Sequence, residues 1–430
     1  MSNDPHLQSI PAIDYEAHPA FACQGVEPEV DVWNVKKILE RIDRDYERIA
    51  RDTNLSRNSI EIEFRDVIRP GFEQLIRFVT EDKRLEAHFR HYAENAIEQA
   101  AGFLLEGLLS GMRRPGRVLR EAEGSACLRS VLNQGFCKVG IDESLADQVW
   151  KSTWWERSLL RRRAKAFPSG HCVLALGAYS PGAQAIRKAL YDKGVIDAVS
   201  AYIGQEMGFL YAALDYSHEK QNWYKDCYRD VGLSTAKTVY MHFDADHDVM
   251  KAMLYLKDVG PKNGPFRYVR ASHRWQRSTA QCALDKGFDV QQTKMFAMEN
   301  DGLDYKLGYY RPRYKLPEYR KGLSMLPSNL RGSTHFGDDI VDGSPLSVSL
   351  LQQEEVFVGP AGTFVVFDGS KGIHRGSQVD EGERWAVQIG MRVVKGTAGG
   401  RLPPPIRAMV GRLRYQLRRA QGLLQTWGVN

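Results

Sequence analysis

The chain has 430 residues, of which 43% are hydrophobic and 26% are charged, so it holds enough apolar material for a large core. This composition excludes wholesale disorder and a fibrous protein. The 59 basic and 53 acidic residues give a net charge of +6, which is too small to indicate nucleic acid as a partner. The basic excess is concentrated between Arg384 and Asn430, where there is no Asp or Glu.

Residues 1–29 are predicted to be irregular, and residues 30–116 are predicted to be helical. Apolar residues from Val32 to Ile49 recur at three- and four-residue steps, which predicts one apolar helix face. A second helix is predicted from about Phe72 to Met112, before a Pro-Gly pair. The heptad-like spacing also allows a dimerising coiled coil. It is short, however, so packing within the protein is favoured.

The cysteines and the hydropathy indicate a cytoplasmic protein. Six cysteines are scattered without a CxxC pair, which favours reduced thiols over disulfides or a structural zinc site. The first residues show no basic segment followed by an apolar run, so no secretory signal is predicted. No uninterrupted apolar stretch is long enough to span a membrane.

Residues 117–396 are predicted to form an antiparallel β domain. Short apolar runs alternate there with turn residues, which is typical of such sheets. The predicted strands are 237–242, 252–256, 264–269, 363–367 and 385–389. A polar stretch at about 280–345 without clear periodicity is interpreted as an insertion that is functional or mobile.

One short motif within this domain could bind a metal. His242 and Asp244 are two residues apart and would project from the same face of a strand. An imidazole and a carboxylate supply two of the three ligands in the 2-His-1-carboxylate site of non-haem Fe(II) oxygenases. His374, which follows the predicted strand 363–367, fits the third ligand. Ten residues later, Arg384 can pair bidentately with a dicarboxylate, which favours 2-oxoglutarate as cosubstrate.

Two stretches resemble the phytanoyl-CoA dioxygenase-like family of Fe(II)/2-oxoglutarate-dependent oxygenases. They read MHFDADHDVMKAMLYLKDVGPKNGPFRYVRASHR, from Met241, and GTFVVFDGSKGIHRGSQVDEGERWAVQIGMR, from Gly362. The resemblance implies an α+β fold with a double-stranded β-helix (jelly-roll, cupin-like) core, flanking helices and a helical N-terminal region. It also implies that His242, Asp244 and His374 hold iron, and that Arg384, helped by Ser377, binds the C5 carboxylate of 2-oxoglutarate.

The activity implied by this resemblance uses Fe(II), 2-oxoglutarate and O₂. Oxidative decarboxylation of 2-oxoglutarate to succinate and CO₂ would be coupled to hydroxylation of an unactivated C–H bond, with no catalytic residue beyond the metal centre. Related halogenases lack the carboxylate ligand, so the intact Asp244 favours hydroxylation. The alternative is a non-catalytic oxygenase fold that serves as a binding or membrane-associated scaffold.

Other motifs near the metal motif have weaker interpretations. His247 could compete for the metal, but its spacing from His242 would point it to the opposite strand face. The DxDxD run from Asp244 is not an EF-hand, because Val249 stands where that loop requires glycine. His88 and His91 share a helix face, for which solvent exposure is favoured over metal binding.

The sequence allows two interpretations of the basic residues near the proposed site and two of the C-terminal region. Basic residues such as Arg267, Arg270 and Arg274 would suit an anionic small molecule or a lipid- or sugar-linked substrate, but a solvated surface explains them equally well. Residues 397–430 are predicted to form a linker and a basic amphipathic helix. Docking of that helix on the β domain is favoured. Peripheral contact of residues 405–427 with the inner membrane surface is the alternative.

Overall fold

The computed structural model describes residues 33–52, 54–111, 125–166, 171–219, 237–238, 240–244, 249–275, 277–299 and 317–394. The helices in these ranges are α1 Val35–Arg51, α2 Arg57–Glu63, α3 Arg69–Glu81, α4 Ala87–Gly111, α5 Ala126–Gln134, α6 Glu143–Ser152, α7 Trp154–Ala166, α8 Pro181–Asp192, α9 Val195–Ile203, α10 Thr279–Glu299, α11 Pro317–Ser324 and α12 Pro345–Gln353. The strands are β1 Phe136–Ile141, β2 His171–Ala175, β3 Met207–His218, β4 Val249–Tyr255, β5 Phe266–Val269, β6 Glu354–Phe357, β7 Thr363–Phe367, β8 His374–Gly376 and β9 Glu383–Val393.

These elements fall into two compact units. One is helical and contains α1–α4 and α10–α12, and the other contains all the described strands together with α5–α9. The predicted mixture of helices and antiparallel sheet is therefore confirmed. Within the described ranges, none of the helices combines the length and apolarity that a membrane crossing requires. The predicted irregular segment 1–29 and the predicted linker and helix 397–430 lie outside the described residues.

The helical unit is organised by apolar helix faces. In α1 the buried residues are Val35, Ile38, Leu39, Ile42 and Ile49, the same three- and four-residue spacing that predicted the helix. The helical stretch predicted over 72–112 is helical in its described part but is divided into two helices, because the chain turns between α3 and α4. There the carboxylate of Asp82 accepts a hydrogen bond from the backbone N–H of Arg84, and this local bond stabilises the turn.

The predicted irregular insertion at 280–345 contains helices in its described part. Helix α10 buries Ala280, Ala283, Leu284 and Phe288, which share one helix face. Its first turn is stabilised by Asp43, whose carboxylate accepts a hydrogen bond of 2.8 Å from the backbone N–H of Ala280. These four residues therefore form part of the core of the helical unit.

Two antiparallel sheets form the β unit. The larger sheet has the strand order β1-β7-β4-β9-β3-β2, and the smaller has the order β6-β5-β8. Side chains from both sheets form one shared core, which includes Tyr255 and Phe367 from the large sheet and Phe266 and Phe357 from the small one. A second core lies where the large sheet meets helices α5–α9. This arrangement buries one face of the large sheet under helices and the other under the small sheet.

The strand predictions were partly right. The predicted strand 363–367 matches β7, and the predictions 252–256, 264–269 and 385–389 overlap β4, β5 and β9. The strand predicted at 237–242 is wrong, because Lys237 and Thr238 lie in a turn. The β texture predicted after Arg117 also missed the helices α5–α9.

Helices α4 and α10 approach each other closely at Gly287. A Cβ atom at this position would clash with the backbone carbonyl oxygen of Ala96. We expect Gly287→Ala to force the helices apart and to lower the free energy of unfolding by about 1–3 kcal/mol, as measured by urea denaturation. The matched control is Gly102→Ala on the exposed side of α4, where a Cβ would meet no atom within 4 Å. Equal effects of the two substitutions would contradict close packing at Gly287.

Candidate metal centre

The segment that carries His242 and Asp244 follows a turn and is not part of a regular strand. Tyr240 has a backbone φ of 68°, in the left-handed region that a tyrosine seldom adopts. Its carbonyl oxygen lies 2.9 Å from Nδ1 of His242. A carbonyl can only accept, so Nδ1 carries the proton and Nε2 of the neutral ring is the atom that can bind a metal. That Nε2 lies 4.0 Å from Oδ1 of Asp244.

His374 begins β8 and is buried among aromatic rings. Ring centroids of Phe367 and Phe266 lie 5.1 and 6.0 Å from its imidazole. Its Nδ1 lies 3.1 Å from the carbonyl oxygen of Gly372, so Nδ1 donates here too and Nε2 carries the lone pair of the neutral ring. A hydrogen bond from Nδ1 to a backbone carbonyl therefore sets the tautomer of both histidines.

The three predicted ligands are carried by both units. His242 and Asp244 belong to the helical unit, and His374 belongs to the β unit. In each unit a backbone carbonyl orients the imidazole, and in the helical unit a carboxylate lies beside it. Two imidazoles and one carboxylate are the residue types of a candidate His-Asp-His metal site.

The turn before His374 is organised by Asp368. Its Oδ1 accepts hydrogen bonds from the backbone N–H groups of Ser370 and Lys371, and its Oδ2 accepts one of 2.7 Å from the hydroxyl of Tyr202. An aspartate that binds the N–H groups two and three residues ahead stabilises a tight turn. The turn thus fixes where β8 begins.

Strand β8 is also held by a buried ion-pair cluster. Arg375, next to His374, donates two hydrogen bonds of 2.7 and 2.8 Å to the carboxylate of Glu354. Arg267 on the neighbouring strand β5 donates a third, of 2.9 Å, to the same carboxylate. A bidentate arginine–carboxylate pair fixes both position and orientation, so it restrains a strand of only three residues.

Arg384 is buried in a second polar cluster. Its Nη2 donates to the carboxylate of Asp215 at 3.1 Å and to the hydroxyl of Ser217 at 3.2 Å, and its Nη1 donates to the carbonyl of Gly264. A Cβ at Gly376 would lie 3.2 Å from Nη1, so the guanidinium lies against the end of β8. The guanidinium of Arg384 therefore lies beside Gly376, which is two residues after His374 on β8.

Asp215 is the partner that the sequence analysis missed. Besides Arg384, its carboxylate accepts a hydrogen bond from Gln388 and lies 3.2 Å from Nε2 of His171. A buried carboxylate next to a buried guanidinium compensates its charge, which lowers the cost of keeping both away from water.

Tyr255 lies close to this pair. Burial raises the pKa of its hydroxyl to about 12. The N–H of Phe266 and the charge of Arg384 act in the opposite direction, and the charge of Asp215 adds to the rise. The hydroxyl therefore stays protonated at neutral pH and donates a hydrogen bond of 2.7 Å to the carbonyl of Phe357.

Three other predictions have clear outcomes. The hydroxyl of Ser377, expected to assist Arg384, accepts a hydrogen bond from Arg267 instead, and Ser217 takes the place beside Arg384. His88 and His91 are exposed on α4 and lie near Glu86 and Glu94, as expected of a solvated face. His247 lies outside the described residues.

A second residue that the sequence analysis missed is His335. Its ring stacks on that of His242, with centroids 4.6 Å apart and an angle of 4° between the planes. It belongs to the stretch interpreted as an insertion. A lone histidine there carries no sequence signal, and only the folded backbone brings it to the site.

The chain has no match among protein-family models or curated proteins. Among solved structures it is similar to the nickel complex of the non-haem monooxygenase ThoJ, with 14% identity over 70% of this chain and 99% of the other, at a TM-score of 0.33. It is similar to HygX from Streptomyces hygroscopicus with nickel and 2-oxoglutarate bound, with 14% identity over 65% and 90% of the two chains and a TM-score of 0.33. A prolyl-4-hydroxylase from Pseudomonas putida shares 13% identity over 63% and 98%, at a TM-score of 0.32. Membership of the phytanoyl-CoA dioxygenase-like family stays a prediction.

The buried ion pair of Arg384 and Asp215 is expected to contribute to the stability of the β unit. Asp215→Asn keeps the size of the side chain but removes the charge that compensates Arg384, so we expect the free energy of unfolding to fall by about 3 kcal/mol in urea denaturation. Asp192→Asn is the matched control, because this carboxylate pairs with Lys188 on an exposed helix surface and should contribute little. A loss for Asp215→Asn no larger than for the control would show that the buried pair is not required for stability.

Proposed function

We propose that this protein is an Fe(II)/2-oxoglutarate-dependent oxygenase whose metal is held by His242, Asp244 and His374. The observation that carries the proposal is the pair of His242 and Asp244, whose Nε2 and Oδ1 atoms lie 4.0 Å apart, together with the buried His374, whose Nδ1 is likewise bound to a backbone carbonyl. Both imidazoles donate Nδ1–H to backbone carbonyls, which makes Nε2 the lone-pair nitrogen of each neutral ring.

The donor set fits iron better than a structural zinc ion. Structural zinc sites are closed by four protein ligands and are usually rich in cysteine. Here the proposed ligands supply two nitrogen donors and one oxygen donor, the combination used by non-haem Fe(II) oxygenases. Three protein ligands leave positions for a chelating cosubstrate and for dioxygen.

Bound Fe(II) would supply the activation of O₂ that couples decarboxylation of 2-oxoglutarate to succinate and CO₂ with hydroxylation of a C–H bond. The protein's own part is to bind, orient and exclude water. We infer that Arg384 binds the C5 carboxylate of 2-oxoglutarate, since a guanidinium can present two parallel donors to a carboxylate. This binding requires the cosubstrate to share or replace the hydrogen bonds that Arg384 makes with Ser217 and Gly264. Phe266 and Phe367 shield His374 from water, which strengthens polar interactions at the site.

We infer that the two antiparallel sheets form a jelly-roll core of the kind that the sequence resemblance implies. Support comes from their shared apolar interior and from the location of His374 at the start of β8, on the smaller sheet. A short strand that is fixed by a turn and by ion pairs is a suitable carrier for a ligand that must not move.

The substrate proposed is a small, anionic or lipid- or sugar-linked molecule, handled in the cytoplasm. Of the three arginines that suggested an anionic substrate, Arg267 is committed to Glu354 and Ser377. Arg270, which forms an ion pair of 4.0 Å with Glu355, is more than half exposed, and Arg274 is partly exposed, so both guanidinium groups lie where an anion in solution can reach them.

The test of this function uses purified protein under anaerobic conditions. Addition of Fe(II) and 2-oxoglutarate should produce a visible metal-to-cosubstrate charge-transfer band, and admission of air should yield succinate. His374→Ala should lower the metal affinity by at least about 100-fold and abolish the band, whereas His88→Ala on exposed α4 should change neither. Absence of both the band and succinate in the unaltered protein would favour the non-catalytic scaffold instead.

The proposed role of Arg384 is tested by cosubstrate discrimination. The unaltered protein should bind 2-oxoglutarate more tightly than 2-oxopentanoate, which lacks the C5 carboxylate. Arg384→Lys keeps the positive charge but loses the two parallel N–H donors of the guanidinium. We therefore expect the preference for 2-oxoglutarate over 2-oxopentanoate to fall by about 10-fold or more, as measured by titration calorimetry with Ni(II) bound. An unchanged preference would mean that another residue holds that carboxylate.

A further inference from the structure

The Ser333–Gly337 segment runs alongside the residues around His242. The backbone N–H of Phe243 donates to the carbonyl of Thr334 at 3.1 Å, and the N–H of Gly337 donates to the carbonyl of Met241 at 3.0 Å. These two bonds tie the segment to the chain on both sides of the histidine.

Gly337 allows this close approach. A Cβ atom there would clash with the carbonyl oxygen of Thr238 and come within 2.5 Å of the backbone nitrogen of Met241. Only glycine therefore permits the two backbones to lie this close without movement. The hydroxyl of Thr238 also donates a hydrogen bond of 2.8 Å to the carbonyl of Gly337.

His335 stands in the middle of this segment, with its ring parallel to that of His242 at a centroid distance of 4.6 Å. The ring of Tyr240 lies beside both, with centroids 5.0 Å from His242 and 5.9 Å from His335. These separations lie in the range in which aromatic rings attract one another.

The segment is anchored independently of His242, by Asp289 on α10. The buried carboxylate of Asp289 accepts hydrogen bonds from the hydroxyl of Ser333 at 2.7 Å, from the backbone N–H of Thr334 at 2.9 Å and from the hydroxyl of Thr334 at 2.5 Å. Nδ1 of His335 lies 3.0 Å from that hydroxyl. A carboxylate satisfied by three donors is a rigid support, so His335 is held in place by the helix.

We propose that His335 is a positioning residue that fixes the plane of the His242 imidazole for metal binding. The hydrogen bond from Nδ1 of His242 to the carbonyl of Tyr240 sets the tautomer, but a single hydrogen bond restrains the tilt of the ring about its Cβ–Cγ bond only weakly. A parallel ring on one face removes this rotation, because tilting would break the stack. The inference rests on the proposed function, since it takes His242 to be a metal ligand.

The experiment compares the affinity for Ni(II) of three full-length variants by titration calorimetry, without cosubstrate. His335→Ala removes the ring and should weaken binding by about 10-fold or more, whereas His335→Phe restores a ring and should bind within about 3-fold of the unaltered protein. His335→Gln keeps a hydrogen-bonding side chain without a ring, and should resemble His335→Ala. Circular dichroism establishes that each variant is folded. If His335→Ala does not fold, the Ni(II) affinities of His335→Phe and His335→Gln are compared instead. The positioning role then requires tighter binding by His335→Phe.

Each outcome has a distinct meaning. Equal affinity of the Ala, Gln and unaltered forms would overturn the positioning role and leave the proposed function standing. Binding by the Phe variant as weak as by the Ala variant would also overturn it, because a ring nitrogen and not the stack would then be required. No Ni(II) binding by the unaltered protein would overturn the proposed function and the inference together.

Discussion

The antiparallel register between β3 and β9 is the constraint on which the polar part of the site depends. Ser217 lies opposite Arg384 in this ladder, and Asp215 lies opposite Ala386, so the carboxylate and the hydroxyl reach the guanidinium from the same strand. Because side chains alternate between faces, a slip by one residue would send Asp215 to the opposite face of the sheet. β9 is flanked by β3 and β4, and pairing on both sides makes such a slip costly. The electrostatics of the site are therefore a consequence of strand pairing.

Local patterns in the sequence predict the proposed metal ligands but not the residues that hold them. His242, Asp244, His374 and Arg384 could be chosen because their residue types and order carry a chemical meaning. Asp215 gives no such signal, since it precedes Arg384 by 169 residues and meets it only through the sheet. Propensity and spacing describe neighbours along the chain, whereas the partner of a buried charge is set by tertiary pairing.

His242 and Asp244 are held differently from what their spacing predicts. The two-residue spacing predicts one face of a strand, yet both residues follow a turn, and their neighbours Met241 and Phe243 form backbone hydrogen bonds to the Ser333–Gly337 segment. That segment depends on Asp289, within a helix whose apolar face was overlooked because polar residues interrupt it. The residues with a chemical signature and the residues that orient them thus come from different parts of the chain.

Tyr240 combines two demands that conflict. Its backbone φ of 68° is one that glycine or asparagine adopts at little cost and that a tyrosine adopts only under strain. Yet its carbonyl sets the tautomer of His242, and its ring lies beside His242 and His335. Tyr240→Gly would relieve the backbone strain but would also remove the ring beside His242. The substitution would therefore raise thermal stability and lower the proposed activity. Screens for stability alone would then accumulate substitutions at position 240 that loosen the histidine.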